Sequence, residues 1–115
     1  MIGAHIPVDI YEDFSADFTS DTNFTLNNAL RIGNMVFLCF NVTNVNISAG
    51  GAFSKNGLIS SHFPKSTVAV SLYSGNNSLP SSLMAGIDKY GNFAMRAGGG
   101  AVSSGAYIVT ACYAI

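Results

Sequence analysis

The chain has 115 residues, a length that suits one domain with a real core and is short for two. Hydrophobic residues make up 49% and charged residues only 10%, against roughly a quarter charged in an average soluble domain, so the surface must be kept in solution by Ser, Thr and Asn, hidden against other subunits, or both. A net charge of -1 with five basic residues gives no footprint for a phosphate backbone, which argues against nucleic acid, and no apolar run approaches the roughly 20 residues of a membrane-spanning helix.

Residues 1–23 read as an acidic lead-in to a single β domain whose body is residues 24–115. The N-terminus lacks the basic, apolar and small-residue zones of a secretion signal, and Met1 followed by mature-looking sequence fits an expression start on an excised domain. Asp9, Glu12, Asp13, Asp17 and Asp21 precede all the cations, which are Arg31, Lys55, Lys65, Lys89 and Arg96. This sorting predicts an acidic segment lying over or beside a mildly basic body. Ile10, Phe14 and Phe18 have helical spacing, although one turn or an extended crossing strand accounts for them equally.

Further along, Leu30 to Ile32 precede the turn-prone pair Gly33-Asn34, and Met35 to Thr43 form a strand rich in β-branched and aromatic types. Val36, Leu38, Phe40 and Val42 make one face of it; Met35, Phe37 and Cys39 make the other apolar too, which predicts cover on both sides. After the punctuation at Ser48-Ala49-Gly50-Gly51, a strand is expected from Thr67 to Tyr73, with Val68, Val70 and Leu72 on its core side. Ser74 to Ser82 reads as a polar recognition loop. Leu83 to Asp88 and Phe93 to Ala97 flank Lys89-Tyr90-Gly91-Asn92 as a hairpin, with Gly91 in the left-handed position. Ala106 to Ile115 closes the chain as a last strand. Short strands without βαβ alternation point to an all-β fold, an antiparallel β-sandwich or jelly-roll-like domain.

The residues that carry chemistry are sparse. His5 and His62 are the only histidines, and the adjacency of Ser61 and His62 reads as incidental, since strand neighbours face opposite sides. Cys39 and Cys112 lie in apolar runs and read as buried free thiols. Asp88 stands apart from the other acids, which gives no second carboxylate for a glycosidase pair. Asp9, Asp13, Asp17 and Asp21 lack the ligand pattern and glycine of a calcium loop, and zinc would need more Cys and His. Gly98-Gly99-Gly100 lacks the Lys-Ser or Lys-Thr of a phosphate loop, and the Asn-x-Ser/Thr triplets at Asn23, Asn41, Asn46 and Asn76 are expected by chance in such a composition. The reading is a non-enzyme with no catalytic residue, metal or cofactor. Loop aromatics and amides that offer a ring face and paired hydrogen bonds are the candidate ligand contacts: Tyr73, Asn76, Asn77, Tyr90, Asn92 and Arg96.

The runs Leu30-Arg31-Ile32-Gly33-Asn34-Met35-Val36 and Asn46-Ile47-Ser48-Ala49-Gly50, then Phe63-Pro64-Lys65, the glycine-turned stretch Ile87 to Phe93 and Gly105-Ala106-Tyr107-Ile108, together resemble the C-terminal receptor-binding (head or tip) domains of phage tail-fibre and baseplate proteins. The resemblance spans Leu30 to the C-terminus. It implies a homotrimeric β-sandwich tip on a virion tail that recognises cell-wall saccharide at the bacterial surface, with the rest of a tail or baseplate protein N-terminal to it. Tyr107 stands where relatives often carry Trp, and the chain has no Trp. The alternatives are a structural virion module, for trimerisation or capsid decoration, without a ligand, and last a polysaccharide hydrolase using Asp88.

Overall fold

Alternating apolar and small polar residues from Phe24 onward build two antiparallel sheets that pack face to face, as seen in a computed structural model that describes residues 11–74 and 83–115. The fold is a β-sandwich. Its five-stranded sheet has the order β1 (Tyr11–Asp13), β2 (Phe24–Ile32), β3 (Met35–Ile47), β9 (Val102–Ala114) and β6 (Ser71–Tyr73); its four-stranded sheet has the order β4 (Ala52–Lys55), β8 (Phe93–Ala97), β7 (Leu83–Ile87) and β5 (Val68–Ala69).

Gly33, at φ +62°, closes the β2–β3 hairpin so that Ile32 pairs with Met35, and Met35 in turn pairs with Ala114 at the far end of β9. A register shift between Leu26 and Asn28 frees Asn27, whose amide donates to Asn41 Oδ1 at 3.1 Å. The inward faces meet as an aromatic core. Phe40 packs edge-on against Phe93 at 5.3 Å between ring centroids, and Phe24 against the same ring at 6.0 Å. Val36, Leu38, Val42, Ile87 and Met95 fill the space around them, each worth about 1.5–3 kcal/mol on full burial.

The lead-in uses both of its alternatives. Tyr11–Asp13 pairs with β2 at the sheet edge, then a single 3-10 turn over Ser15–Asp17 drops Phe14 and Phe18 into the core at 2% and 7% exposure. It is tied to the body by Arg31–Glu12 at 3.4 Å, Lys55–Asp21 at 2.6 Å and His62–Glu12 at 2.9 Å, the charge sorting seen in the sequence.

Four expectations need correction. The strand expected over Thr67–Tyr73 changes sheets at Val70: β5 pairs with β7 and β6 with β9, while the Val70 amide donates to Ala85 O. The last strand starts at Val102, because β3 runs to Ile47 and demands a partner of equal length; positive φ at Asn44 (57°) and Ser104 (51°) absorbs the irregular register there. Strand β3 is covered on only one side within a chain, since Phe37 on its outer face is 39% exposed. For the same reason the two cysteines are not core thiols: both are free, but Cys39 is half-buried and Cys112 exposed on that outer face.

Candidate functional site

Besides a concavity of similar volume among Asn28, Phe37, Cys39, Ser71, Thr110 and Cys112 on the five-stranded sheet, a groove of about 490 Å³ runs across the outer face of the four-stranded sheet. Its floor is one register row. Ser54 pairs with Ala94, Ala94 with Gly86 and Gly86 with Ala69, so four strands present only small side chains in a line roughly 14 Å long at the usual strand spacing. Gly86 is required for this closeness, because a Cβ there would stand 2.9 Å from Val68 O. One wall is polar, with Asn56, Asn92, Asp88 and Thr67; the other carries Arg96 and the exposed thioether of Met84. Such a groove fits an extended hydroxyl-rich chain, with apolar contact along the floor and hydrogen bonds at the side.

Asp88 and Asn92 brace the polar wall. The Asp88 carboxylate accepts from the amides of Tyr90 at 2.9 Å and Asn92 at 3.0 Å and from Asn92 Nδ2 at 3.3 Å, while Asn92 Oδ1 accepts from Gly57 N at 2.8 Å. Partial burial pushes the Asp88 carboxyl up, but the hydrogen bonds from Asn92 and Tyr90 outweigh it and hold the group below its ordinary value. That is opposite to the shift a general acid of glycoside hydrolysis requires. Arg96 has no hydrogen-bond or ion-pair partner among the described residues, which leaves its guanidinium donors available to a ligand.

Of the candidate sugar contacts, the fold brings Asn92 and Arg96 into this groove. Tyr90 stands at the tip of the same hairpin, 65% exposed, with Lys89 Nζ 5.3 Å from its ring centre. Tyr73 belongs to the outer face of the other sheet, and Asn76 and Asn77, with most of the Ser74 to Ser82 loop, lie outside the described residues. Sequence reading missed Ser54, Asn56, Thr67, Met84, Gly86, Ala94 and Ala69. For the hairpin members the signal was present, since Gly86 and Ala94 occupy the outward positions of alternating strands; β4 carried no such pattern.

Ser61 and His62 are not incidental neighbours. They lie outside any strand, and a φ of +59° at His62 turns the two side chains together. Ser61 Oγ lies 2.5 Å from His62 Nδ1, His62 Nε2 lies 2.9 Å from Glu12 Oε1, and the imidazole stacks on Phe14 at 4.2 Å. The chain of contacts has the outline of a nucleophile, base and acid. Ser61, however, donates its single hydroxyl proton to Asp17 Oδ2 at 2.6 Å, which turns it away from the imidazole. With Tyr113 donating to His62 O at 2.8 Å, the cluster acts as a clasp between the lead-in and the sandwich.

No family model, curated protein or solved structure matches the chain.

Proposed function

We propose that this chain is the host-recognition head of a phage tail protein, binding cell-wall saccharide as a homotrimer on the virion tail. The observation that carries this reading is the groove of small residues across four strands, walled by amides, a carboxylate and the Arg96 guanidinium, which has no partner among the described residues. The resemblance of Leu30 to the C-terminus to receptor-binding heads supplies the ligand class. Saccharide recognition by shallow grooves is weak at each site and is raised by repetition, which suits a trimer. An array of bacterial surface polysaccharides followed by calorimetric titration tests it. Binding to a wall saccharide is expected, with Arg96→Ala weakening it by about 1.5–3 kcal/mol, the range for a hydrogen bond from a charged donor. An intact oligomer that binds none of these glycans overturns the adhesion reading.

A ligand-free structural module of the virion is the second reading. It is favoured by the exposed Tyr11, Ile32, Phe37, Tyr73 and Ile108 on the outer face of the five-stranded sheet, which would serve assembly alone.

A further inference from the structure

We propose that copies of this chain pack against one another through the outer face of the five-stranded sheet. This rests on the oligomeric part of the function proposed above and is independent of the saccharide. Tyr11, Ile32, Phe37, Ile108 and Tyr73 all project from that face, with exposures of 56%, 45%, 39%, 41% and 63%. They belong to all five strands: Tyr11 pairs with Ile32, Phe37 with Cys112, and Tyr73 with Ile108. These are five of the eight exposed large hydrophobic side chains among the described residues, and they surround the amides and hydroxyls of Asn28, Asn41, Ser71 and Thr110 on the same face.

Charge favours a second copy as the occupant. The described face holds no cation, and its one carboxylate, Asp13 at the margin, already accepts from Ser15 N at 2.9 Å. Arg31 points to the other side, toward Glu12. A charged partner would therefore find no counter-charge here, whereas an identical face brings apolar side chains to apolar ones and offers the amides and hydroxyls of Asn28, Asn41, Ser71 and Thr110 partners of their own kind. Five strands about 4.8 Å apart and seven residues of β3 bound a face of at most roughly 19 by 20 Å, a small contact beside the ~800 Å² per partner of a standard interface. Packing here covers the second face of β3, buries the thiols of Cys39 and Cys112, and leaves the groove on the opposite sheet facing outward.

Multi-angle light scattering on the wild-type chain and on Phe37→Asp and Ile108→Asp, with circular dichroism to confirm the fold, tests the contact. The expected result is an oligomer at micromolar concentration that both folded variants reduce to monomer. Ellman's reagent gives an independent reading: reaction with wild type should slow as concentration rises, and monomeric Ile108→Asp should react at a concentration-independent rate. If Phe37→Asp fails to fold, Ile108→Asp and the thiol kinetics decide. A monomeric wild type, folded variants of unchanged size, or a monomer that instead binds neutral phosphatidylcholine vesicles each overturns the proposal. A dimer lost in Ile108→Asp would uphold this interface while ending the three-fold reading, and loss of glycan binding alone would leave it standing.

Discussion

Gly91 shows how one residue fixes two parts of the molecule at once. At φ +81° it makes the β7–β8 turn, and a Cβ on it would collide with Ile59 O and with the ring of Phe63. Gly50 has a similar φ of +76° but open space around it. Gly50→Ala should therefore cost only the left-handed backbone penalty of about 1–2 kcal/mol, and Gly91→Ala about 2–4 kcal/mol, in equilibrium urea unfolding. Equal losses would mean that the contact with Ile59 and Phe63 is soft. Tyr113 gives a second test. Burial pushes its phenol up to about 12, while the hydroxyl donates to His62 O. Because the folded value lies above the unfolded one near 10, the neutral phenol stabilises the fold below that pH, and the contribution is lost as pH rises toward 12. Tyr107 is pushed the same way by burial. Urea midpoints should fall over this alkaline window, and less steeply in Tyr113→Phe, which also loses about 1 kcal/mol at neutral pH with its hydrogen bond.

The elements divide by how local their cause is. Strand β3, the β7–β8 hairpin and the inward set Tyr107, Val109, Ala111 and Tyr113 were legible because alternation and turn glycines are written within each segment. The sheet change at Val70, the strand over Ala52–Lys55 and the groove floor were not, because they depend on which strand lies alongside. Likewise Gly86 reads as an ordinary small residue until β5 is placed over it. The His62 clasp was hidden by the assumption of an extended backbone, which its positive φ breaks. The pairing of Glu12 and Asp21 with basic residues of the body, by contrast, was readable from charge order, and with Asp88 the carboxylates of this segment shape the acid behaviour of the fold. A hydrogen bond from Lys55 and the amides of Asn23 and Phe24 hold the Asp21 carboxyl below its ordinary value, and the Ser15 amide does the same for Asp13. Depressed folded values contribute stability above the unfolded carboxylate value near 3.9, and that stability drains away as pH falls through the folded values. The urea midpoint should be level near pH 6 and fall below about pH 4, more shallowly in Asp21→Asn; an unchanged acid limb in that variant would show that the Lys55 contact contributes nothing.

At the scale of the whole molecule the two sheets present unlike outer faces, and their division of labour has a measurable consequence. The five-stranded face carries exposed aromatic and aliphatic side chains around amides and hydroxyls and is nearly uncharged, while the four-stranded face carries Asp88 and Arg96 beside its groove of small residues. If copies meet through the first, every groove points outward, so one assembly engages a dense polysaccharide surface at several points without any new contact at a single site. Linked sites of this kind raise apparent affinity by about 10²–10⁴ over one site when geometry permits simultaneous binding. Wild type should therefore dissociate far more slowly from a densely coated saccharide surface than from a sparse one in surface plasmon resonance. Ile108→Asp, monomeric but with its groove intact, should match the sparse-surface rate on both, while calorimetry with a short soluble fragment gives the two proteins the same affinity per chain. Should the variant lose binding to the fragment as well, the groove and the interface would not be separable, and the ligand would have to sit across the boundary between copies rather than on the outward sheet.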